Sequence, residues 1–205
     1  VTALLPIRDP QALDQALALL RGGAPIAFPT DTVYGLGAAA LDSEAVLQLY
    51  AVKRRPRTQA IPLLLADHAD LAQAAATVPA LALRLARLWP GALTLVLPAA
   101  PQLPDALLAG GTTVAVRLPD HDWLRGLIRA LGMPLAATSA NLHGGPDPRT
   151  AAEVLEQLGG ALTLVVDDGP TPGALPSTIV DCTGAQPRLL RAGALAWSRI
   201  VEAAG

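Results

Sequence analysis

Short apolar runs alternate along the chain with longer stretches that mix apolar and polar positions at helical spacing. The runs "APIAF" (ending at Phe28), "IPLLLA" (Ile61 to Ala66), "LTLVLP" (ending at Pro98), "TTVAVRLP", "PLAAT", "LTLVVD", "STIVD" and "PRLLR" read as strands. Between them, "QALDQALALLR", "EAVLQLYAVK", "HADLAQAAA", "PALALRLARLW", "HDWLRGLIRALG" and "AAEVLEQLGG" read as helices, and a last helix starts near Ala194. Cap signals sharpen these boundaries. Asp9-Pro10 predicts the opening of the first helix and Gly22-Gly23 its end; Asp42 or Ser43 caps the second. Trp89-Pro90-Gly91 breaks the fourth, Gly132 closes the fifth, and Thr150 with Glu153 forms a capping box for the sixth. Strands that alternate with helices predict an α/β sheet covered by helices. The last strands follow one another without helices, so part of that sheet is expected to be antiparallel. No repeat or linker divides residues 1–205, which predicts one domain, and "DDGPTPGALP", Asp168 to Pro176, is the expected mobile loop.

Composition supports a packed fold. The 205 residues are 52% hydrophobic and 16% charged, enough apolar material for a sizeable core and too much for disorder. No apolar run is long enough to cross a bilayer. The opening "VTALLPIRDPQALDQ" lacks the basic-then-apolar layout of an export signal, so a soluble, cytoplasmic protein is expected. The single cysteine, Cys182, excludes an internal disulfide and a cysteine-based zinc site. His68, His121 and His143 have no ligand-type spacing. A net charge of −2 gives no general pull toward nucleic acid or acidic membranes. Four of the fifteen basic residues crowd into "KRRPR", where Lys53 is the only lysine of the chain.

In α/β folds ligands gather where loops leave strand ends. Those loops here carry Thr30, Asp31, Thr32, Tyr34, Gly35 and Gly37 after the first strand, and Lys53, Arg54 and Arg55 after the second helix. Thr112, Thr113 and Arg117 lie on the fourth strand, Thr138, Ser139 and Asn141 follow the fifth, and Ser177, Thr178, Arg188 and Arg191 come near the C-terminus. Hydroxyls and cations abound; histidine, cysteine and paired carboxylates do not. Such a set suits binding of phosphate and a small polar molecule rather than acid/base or thiol chemistry. "GLGAAA", Gly35 to Ala40, fits a dinucleotide fingerprint, but "RPRTQA" stands where the ribose-binding acid belongs. There is no Walker motif, and no serine-hydrolase elbow surrounds Ser139. Each residue also has an ordinary reading: Lys53 to Arg57 as a solvated helix end, Thr30, Thr32 and Asn141 as turn formers, Arg117 as a surface ion pair, Trp89 and Trp123 as core. What argues against the ordinary readings is the recurrence of cations and hydroxyls at loop after loop.

The motifs "PTDTVYGLG", "KRRPR", "WPGALTLVLP", "VAVRLPDH", "TSANLHGG", "PSTIVD" and "LLRAGAL" occur in an order and spacing that resembles the threonylcarbamoyl-adenylate synthases, the family built on a YrdC-type domain. The resemblance runs over residues 11 to 195. It implies a twisted mixed parallel/antiparallel sheet flanked by helices around a large basic cavity. It implies a nucleotidyltransferase that condenses L-threonine, bicarbonate or CO2 and ATP into threonylcarbamoyl-AMP and pyrophosphate, with Mg2+ accompanying ATP and no metal ligands of its own. The product would serve threonylcarbamoyladenosine formation in tRNA, through the tRNA threonylcarbamoyl-transferase proteins, with weak or no direct tRNA binding and no membrane contact.

By the same resemblance, Thr32, Tyr34, Arg117 and Ser177 correspond to threonine contacts. Lys53 and Arg55 correspond to the catalytic, phosphate-binding pair of the family's K-x-R-P motif. Gln59, Thr113, Ser139, Asn141 and Arg191 fall with them on nucleotide positions. The chain departs from the pattern at Gln59, where many members have lysine or asparagine, and at Leu64, where longer members have histidine. The C-terminal domain of those longer members has no counterpart in these residues, so any lid would come from a local loop such as Asp168 to Pro176. The competing readings are a YrdC-like relative with carbamoyl-transfer activity and an RNA-binding module without catalysis.

Overall fold

The computed structural model describes every residue of the chain except Ala174. Its strands are β1 Ala3–Pro6, β2 Ile26–Phe28, β3 Gly35–Ala39, β4 Leu63–Leu64, β5 Leu93–Pro98, β6 Thr113–Arg117, β7 Leu135–Ser139, β8 Leu164–Asp167, β9 Thr178–Asp181 and β10 Arg188–Arg191. The helices are α1 Ala12–Arg21, α2 Ser43–Lys53, α3 Leu71–Ala74, α4 Ala80–Leu85, α5 Asp105–Leu108, α6 Asp122–Leu131, α7 Ala151–Leu158 and α8 Trp197–Ala204. All ten strands join one mixed sheet in the order β1-β8-β2-β3-β7-β4-β6-β5-β9-β10. β1–β8, β2–β8, β4–β6 and β5–β9 are parallel; β2–β3, β3–β7, β4–β7, β5–β6 and β9–β10 are antiparallel.

Alternation along the strands divides the core between two faces. Ala27, Leu63, Leu65, Leu93, Leu95 and Val116 point to one face, where α2, α4, α7 and α8 contribute Leu49, Leu85, Val154 and Ile200. Ile26, Phe28, Leu64, Leu135, Ala137 and Val166 point to the other, where α1 and α6 contribute Leu17, Leu20, Leu127 and Ile128. That second helical layer covers only part of its face, and the uncovered part carries the site.

Several boundaries follow from the expected caps. The Asp42 carboxylate accepts from Glu44 N and Ala45 N at 3.0 and 3.1 Å and starts α2. Thr150 and Glu153 complete their capping box on α7, and Gly132 ends α6 in the left-handed region at φ 81°. Elsewhere the structure differs from the expectation. Asp9 does not cap α1: its Oδ1 accepts from Gln11 N at 2.8 Å, forming a local turn, and the helix starts at Ala12. In "IPLLLA" only Leu63 and Leu64 join the ladder, since Pro62 has no N–H and Ile61 N donates instead to Leu107 O. "HADLAQAAA" and "PALALRLARLW" fold as the short α3 and α4 with 3-10 turns at their edges, and α8 begins at Trp197. β1 and α5 were not expected. The expected mobile loop Asp168 to Pro176 includes Ala174, which lies outside the described residues.

The main surprise is β3. "GLGAA" is a buried strand hydrogen-bonded to β2 and β7, not a phosphate-binding turn before a helix. A Cβ on Gly35 would lie 2.7 Å from Phe28 Cε2, and one on Gly37 would lie 2.8 Å from Phe28 Cε1. The two glycines leave room for the chain's only phenylalanine to lie across them, which is why the fingerprint is a packing feature.

Candidate functional site

The bare part of the second sheet face forms the floor of a cavity of about 400 Å³. Strand register places its side chains. Leu64 pairs with Arg117, Val96 with Ala115, Thr94 with Ile179, and Ile179 with Arg191, so these residues share one face and line one space. Arg55 and Asp147 reach the same space from loops, and Thr138 and Ser139 enter it from the end of β7.

One wall is built on Arg117, 7% exposed, at the end of β6. Its Nε donates to Gly91 O at 3.0 Å, Nη1 to Thr32 Oγ1 at 2.9 Å and Nη2 to Asp31 Oδ1 at 2.6 Å. Thr32 Oγ1 lies 3.1 Å from Thr30 Oγ1, which donates to Val33 O and accepts from Thr32 N. A guanidinium has five N–H groups, so each terminal nitrogen keeps one for a ligand.

A second part of the lining is built on Ser177 and Arg191. Ser177 Oγ lies 2.7 Å from Thr94 Oγ1, and Arg191 Nη2 donates to Ser177 O at 2.8 Å and to Ser177 Oγ at 3.2 Å. Gly193 makes this possible: a Cβ there would come within 2.3 Å of Pro176 O, so the turn after β10 approaches the Ser177 segment as only glycine allows.

Arg55 follows a sharp change of direction at Arg54, the left-handed C-cap of α2 at φ 52°. It donates to Thr138 Oγ1 at 3.2 Å and to Ala60 O at 3.0 Å, while its buried Nε has no hydrogen-bond partner among the described residues. Burial lowers its pKa, with the Tyr50 phenol acting the other way. A half-buried guanidinium with an unpaired donor is suited to an anion.

Lys53 is placed differently. It is 3% exposed and does not line the cavity. Its Nζ donates to Ser139 O, to Asn141 O at 2.7 Å and to Asn141 Oδ1 at 2.7 Å, using all three ammonium protons. Ser139 Oγ donates to the same Asn141 Oδ1 at 2.6 Å, and Asn141 Nδ2 donates to Gly145 O at 2.7 Å. The ammonium therefore fastens the loop after β7, which presents Ser139 to the cavity. Burial and then Arg55 bring its pKa down to about 8, with Asp147 pulling the other way.

The remaining expected residues are spread more widely. Tyr34 is fully buried and lines the cavity, but its hydroxyl leaves it, lying 2.9 Å from Asp167 Oδ1 and 2.7 Å from Gly169 O. Burial raises its pKa. Thr113 shares the face of Ala115 and Arg117 but sits opposite Pro98, beyond the lining residues. Gln59 is exposed, and its carbonyl rather than its side chain is engaged, by the Tyr50 hydroxyl at 2.9 Å. Asn141 is buried within the loop after β7 and does not line the cavity. Leu64 lies in register with Arg117 and lines the cavity. Reading the sequence missed Thr94, whose signal is a lone hydroxyl in the apolar strand "LTLVLP", and Asp147, the acid between two prolines in "PDP".

Residues 18–193 match the sequence profile of the Sua5–YciO–YrdC family, whose description reads "Telomere recombination". The threonylcarbamoyl-AMP synthase of Bacillus subtilis is 44% identical over 207 residues, covering 100% of this chain and 60% of the relative. That of Vibrio cholerae is 40% identical over 185 residues, covering 88% of this chain and 97% of the relative. The crystal structure of P. abyssi Sua5 complexed with L-threonine matches with a TM-score of 0.95 at 38% identity, over 98% of this chain and 61% of that one. The chain thus spans about 60% of the length of the Bacillus and Pyrococcus relatives.

Proposed function

The chain belongs to the Sua5–YciO–YrdC family, and we propose that it is a threonylcarbamoyl-AMP synthase, a nucleotidyltransferase joining L-threonine, bicarbonate or CO2 and ATP. The observation that carries this reading is the meeting of Arg55, Arg117 and Arg191 with Thr32, Thr138, Ser139 and Ser177 around one cavity. Those groups match an amino acid at one end and a polyphosphate at the other. The names of the relatives and the threonine held by P. abyssi Sua5 agree with it.

In the proposed reaction the threonine amine attacks CO2, forming a C–N bond and losing a proton, to give the carbamate. A carbamate oxygen then attacks the α-phosphorus of ATP, and the bond to pyrophosphate breaks. Arg117, with Thr32 and Ser177 nearby, holds the threonine. Arg55, Ser139 and Arg191 face the nucleotide, where charge accumulates on phosphate oxygens and positioned cations stabilise it. Lys53 and Asn141 act from behind, by fixing the loop that carries Ser139. Mg2+ would enter with ATP as part of the substrate, where it would offset charge on the phosphates. Among the described residues Asp147 is the one carboxylate lining the cavity. The product goes to the tRNA threonylcarbamoyl-transferase proteins in the cytoplasm. No helix among the described residues is long and apolar enough to cross a membrane.

Pyrophosphate release from ATP by the purified chain tests the reading. Release that requires both L-threonine and bicarbonate supports it. Release indifferent to threonine, or none from folded protein, overturns it.

A further inference from the structure

The hydroxyls around Arg117 differ in what they can still offer a ligand, and counting protons shows how. Thr30 Oγ1 gives its proton to Val33 O at 2.7 Å. The 3.1 Å contact between Thr30 Oγ1 and Thr32 Oγ1 is therefore made by the Thr32 proton. Thr32 Oγ1 also accepts from Arg117 Nη1. With its proton used and one lone pair left, Thr32 can accept from a ligand and cannot donate to one.

Thr94 and Ser177 are set the other way round. They are 2% and 5% exposed, and both line the cavity. Their oxygens lie 2.7 Å apart, so one proton of the pair lies between them. Thr94 Oγ1 has no other hydrogen-bond partner among the described residues, and a buried hydroxyl proton without an acceptor is costly. Ser177, the more exposed of the two, also receives Arg191 Nη2 on its Oγ at 3.2 Å. Thr94 therefore donates to Ser177. Both lone pairs of Ser177 Oγ are then engaged, and its own proton has no acceptor among the described residues. Accepting two protons makes that O–H a stronger donor.

Position says what these groups read. Leu95 pairs with Val116 across β5 and β6, so Thr94, one residue earlier, stands opposite Arg117, one residue later. Arg117 keeps one N–H on each terminal nitrogen, a pair matched to the two oxygens of a carboxylate. An α-ammonium group has only protons to give, and the free lone pair of Thr32 Oγ1 accepts one. The polar group of threonine left over is its hydroxyl, and the donor left over is the Ser177 O–H.

We propose that Thr94 is a positioning residue for amino-acid selection: by donating to Ser177 Oγ it turns the Ser177 O–H into the cavity, where it donates to the side-chain oxygen of threonine. The inference rests on the synthase reading for the identity of the ligand. It makes the site select a β-hydroxy amino acid over one with the same carbon skeleton and no hydroxyl, because without that oxygen the Ser177 proton stays unmet.

Calorimetric titration of the whole chain, without nucleotide, with L-threonine and with L-2-aminobutyrate tests this, the second ligand being threonine without its hydroxyl. The parent is expected to prefer threonine about tenfold or more. Thr94→Val is expected to lose about tenfold for threonine and nothing for aminobutyrate, so that the preference disappears. Thr94→Ser, which keeps the hydroxyl, should restore it. Should Thr94→Val fail to fold, Ser177→Ala gives the same comparison. An equal loss for both ligands would reduce Thr94 to a structural role and overturn the proposal, as would a preference that survives in the folded Thr94→Val protein. No threonine binding by the folded parent overturns the proposal and counts against the synthase reading as well. The expected pattern without pyrophosphate release overturns the synthase reading alone and leaves the selection by Thr94 standing.

Discussion

Arg117 Nη2 and Asp31 Oδ1 meet at 2.6 Å at the wall of the cavity, with side chains only 9% and 13% exposed. The pair is one of three fixed points on the guanidinium, the others being Gly91 O and Thr32 Oγ1. Lysine at this position has one nitrogen and cannot reach three directions and a substrate carboxylate together. Arg117→Lys is therefore expected to raise the KM for L-threonine about tenfold or more, with the KM for ATP little changed. Initial-rate kinetics at varied threonine and ATP checks this. A larger change for ATP than for threonine would place Arg117 at the wrong end of the cavity.

Lys53 makes a pH prediction whose sign distinguishes it from unfolding. Its folded pKa is lowered to about 8 by burial and then Arg55, from an unfolded value near ~10.4. Above pH 8 the neutral amine keeps two protons for three acceptors, so the loop carrying Ser139 loses a tie. Turnover is expected to fall as pH rises through about 8. Between that pH and the unfolded pKa the unfolded chain binds more protons at this group, so its contribution to stability rises with pH. Turnover that falls while the urea midpoint does not is the expected signature. In Lys53→Met the fall near pH 8 should vanish, from a turnover lowered at every pH; persistence of the same profile would assign it to another group.

The glycines of β3 carry a stability prediction. Gly35→Ala places a methyl 2.7 Å from the Phe28 ring, and Gly37→Ala places one 2.8 Å from that ring and 2.9 Å from Leu135 Cδ2. Each substitution is expected to lower stability by about 1–3 kcal/mol, the usual range for overpacking a core. Phe28→Leu combined with Gly35→Ala should be less damaging than the sum of the two. Urea denaturation of the four proteins measures the coupling, and strict additivity would mean that the ring does not set the need for glycine.

These cases show what local pattern could and could not reveal. Asp42 and the Thr150–Glu153 box mark helix starts because a cap acts over three or four residues, a span visible in one line of sequence. Arg55, Arg117, Ser177 and Arg191 were identifiable from loop chemistry and resemblance, and they meet at one cavity. β3 was illegible because its logic lies across strands: the glycines answer to Phe28, whose position over them depends on the β2–β3 register. Lys53 was singled out by composition, but its direction was not legible, since only the folded loop brings Ser139 and Asn141 onto Nζ. Thr94 and Asp147 needed the sheet face to be known before a lone hydroxyl or acid acquired meaning.

The close approach at Gly193 links a backbone position to the site. Its amide donates to Thr178 Oγ1 at 3.0 Å, and Ala194 N donates to Pro176 O at 2.9 Å. Gly193→Ala would drive a methyl into the Pro176–Ser177 backbone, which must shift together with the Ser177 hydroxyl held by Thr94 and Arg191. Threonine affinity is expected to drop about tenfold, since a displaced polar group loses its alignment with the ligand. Arg191→Ala, by contrast, should weaken ATP more than threonine. Equal effects of the two substitutions on both substrates would dissolve the division of the cavity into a threonine end and a nucleotide end.

Asp67 supplies an acid-stability prediction outside the site. Hydrogen bonding from Arg129, against a smaller desolvation effect and with help from Arg125, lowers its pKa to about 2. Arg129 Nε and Nη2 grip the carboxylate at 2.6 and 2.8 Å, and Arg125 Nη2 reaches it at 3.2 Å, so the pair ties α6 to the segment after β4. A carboxylate whose folded pKa is depressed contributes stability that is complete above its unfolded value, near ~3.9, and lost as pH falls through the folded one. Asp67→Asn should therefore be less stable than the parent at pH 5 and above, with the difference closing between pH 4 and 2. Because the carboxylate is nearly half exposed, at 44%, the difference should stay below about 1 kcal/mol and shrink in high salt. Urea midpoints of both proteins at several pH values decide the matter. A gap that persists unchanged at the acid end would mean that the stabilisation does not come from the Asp67 charge.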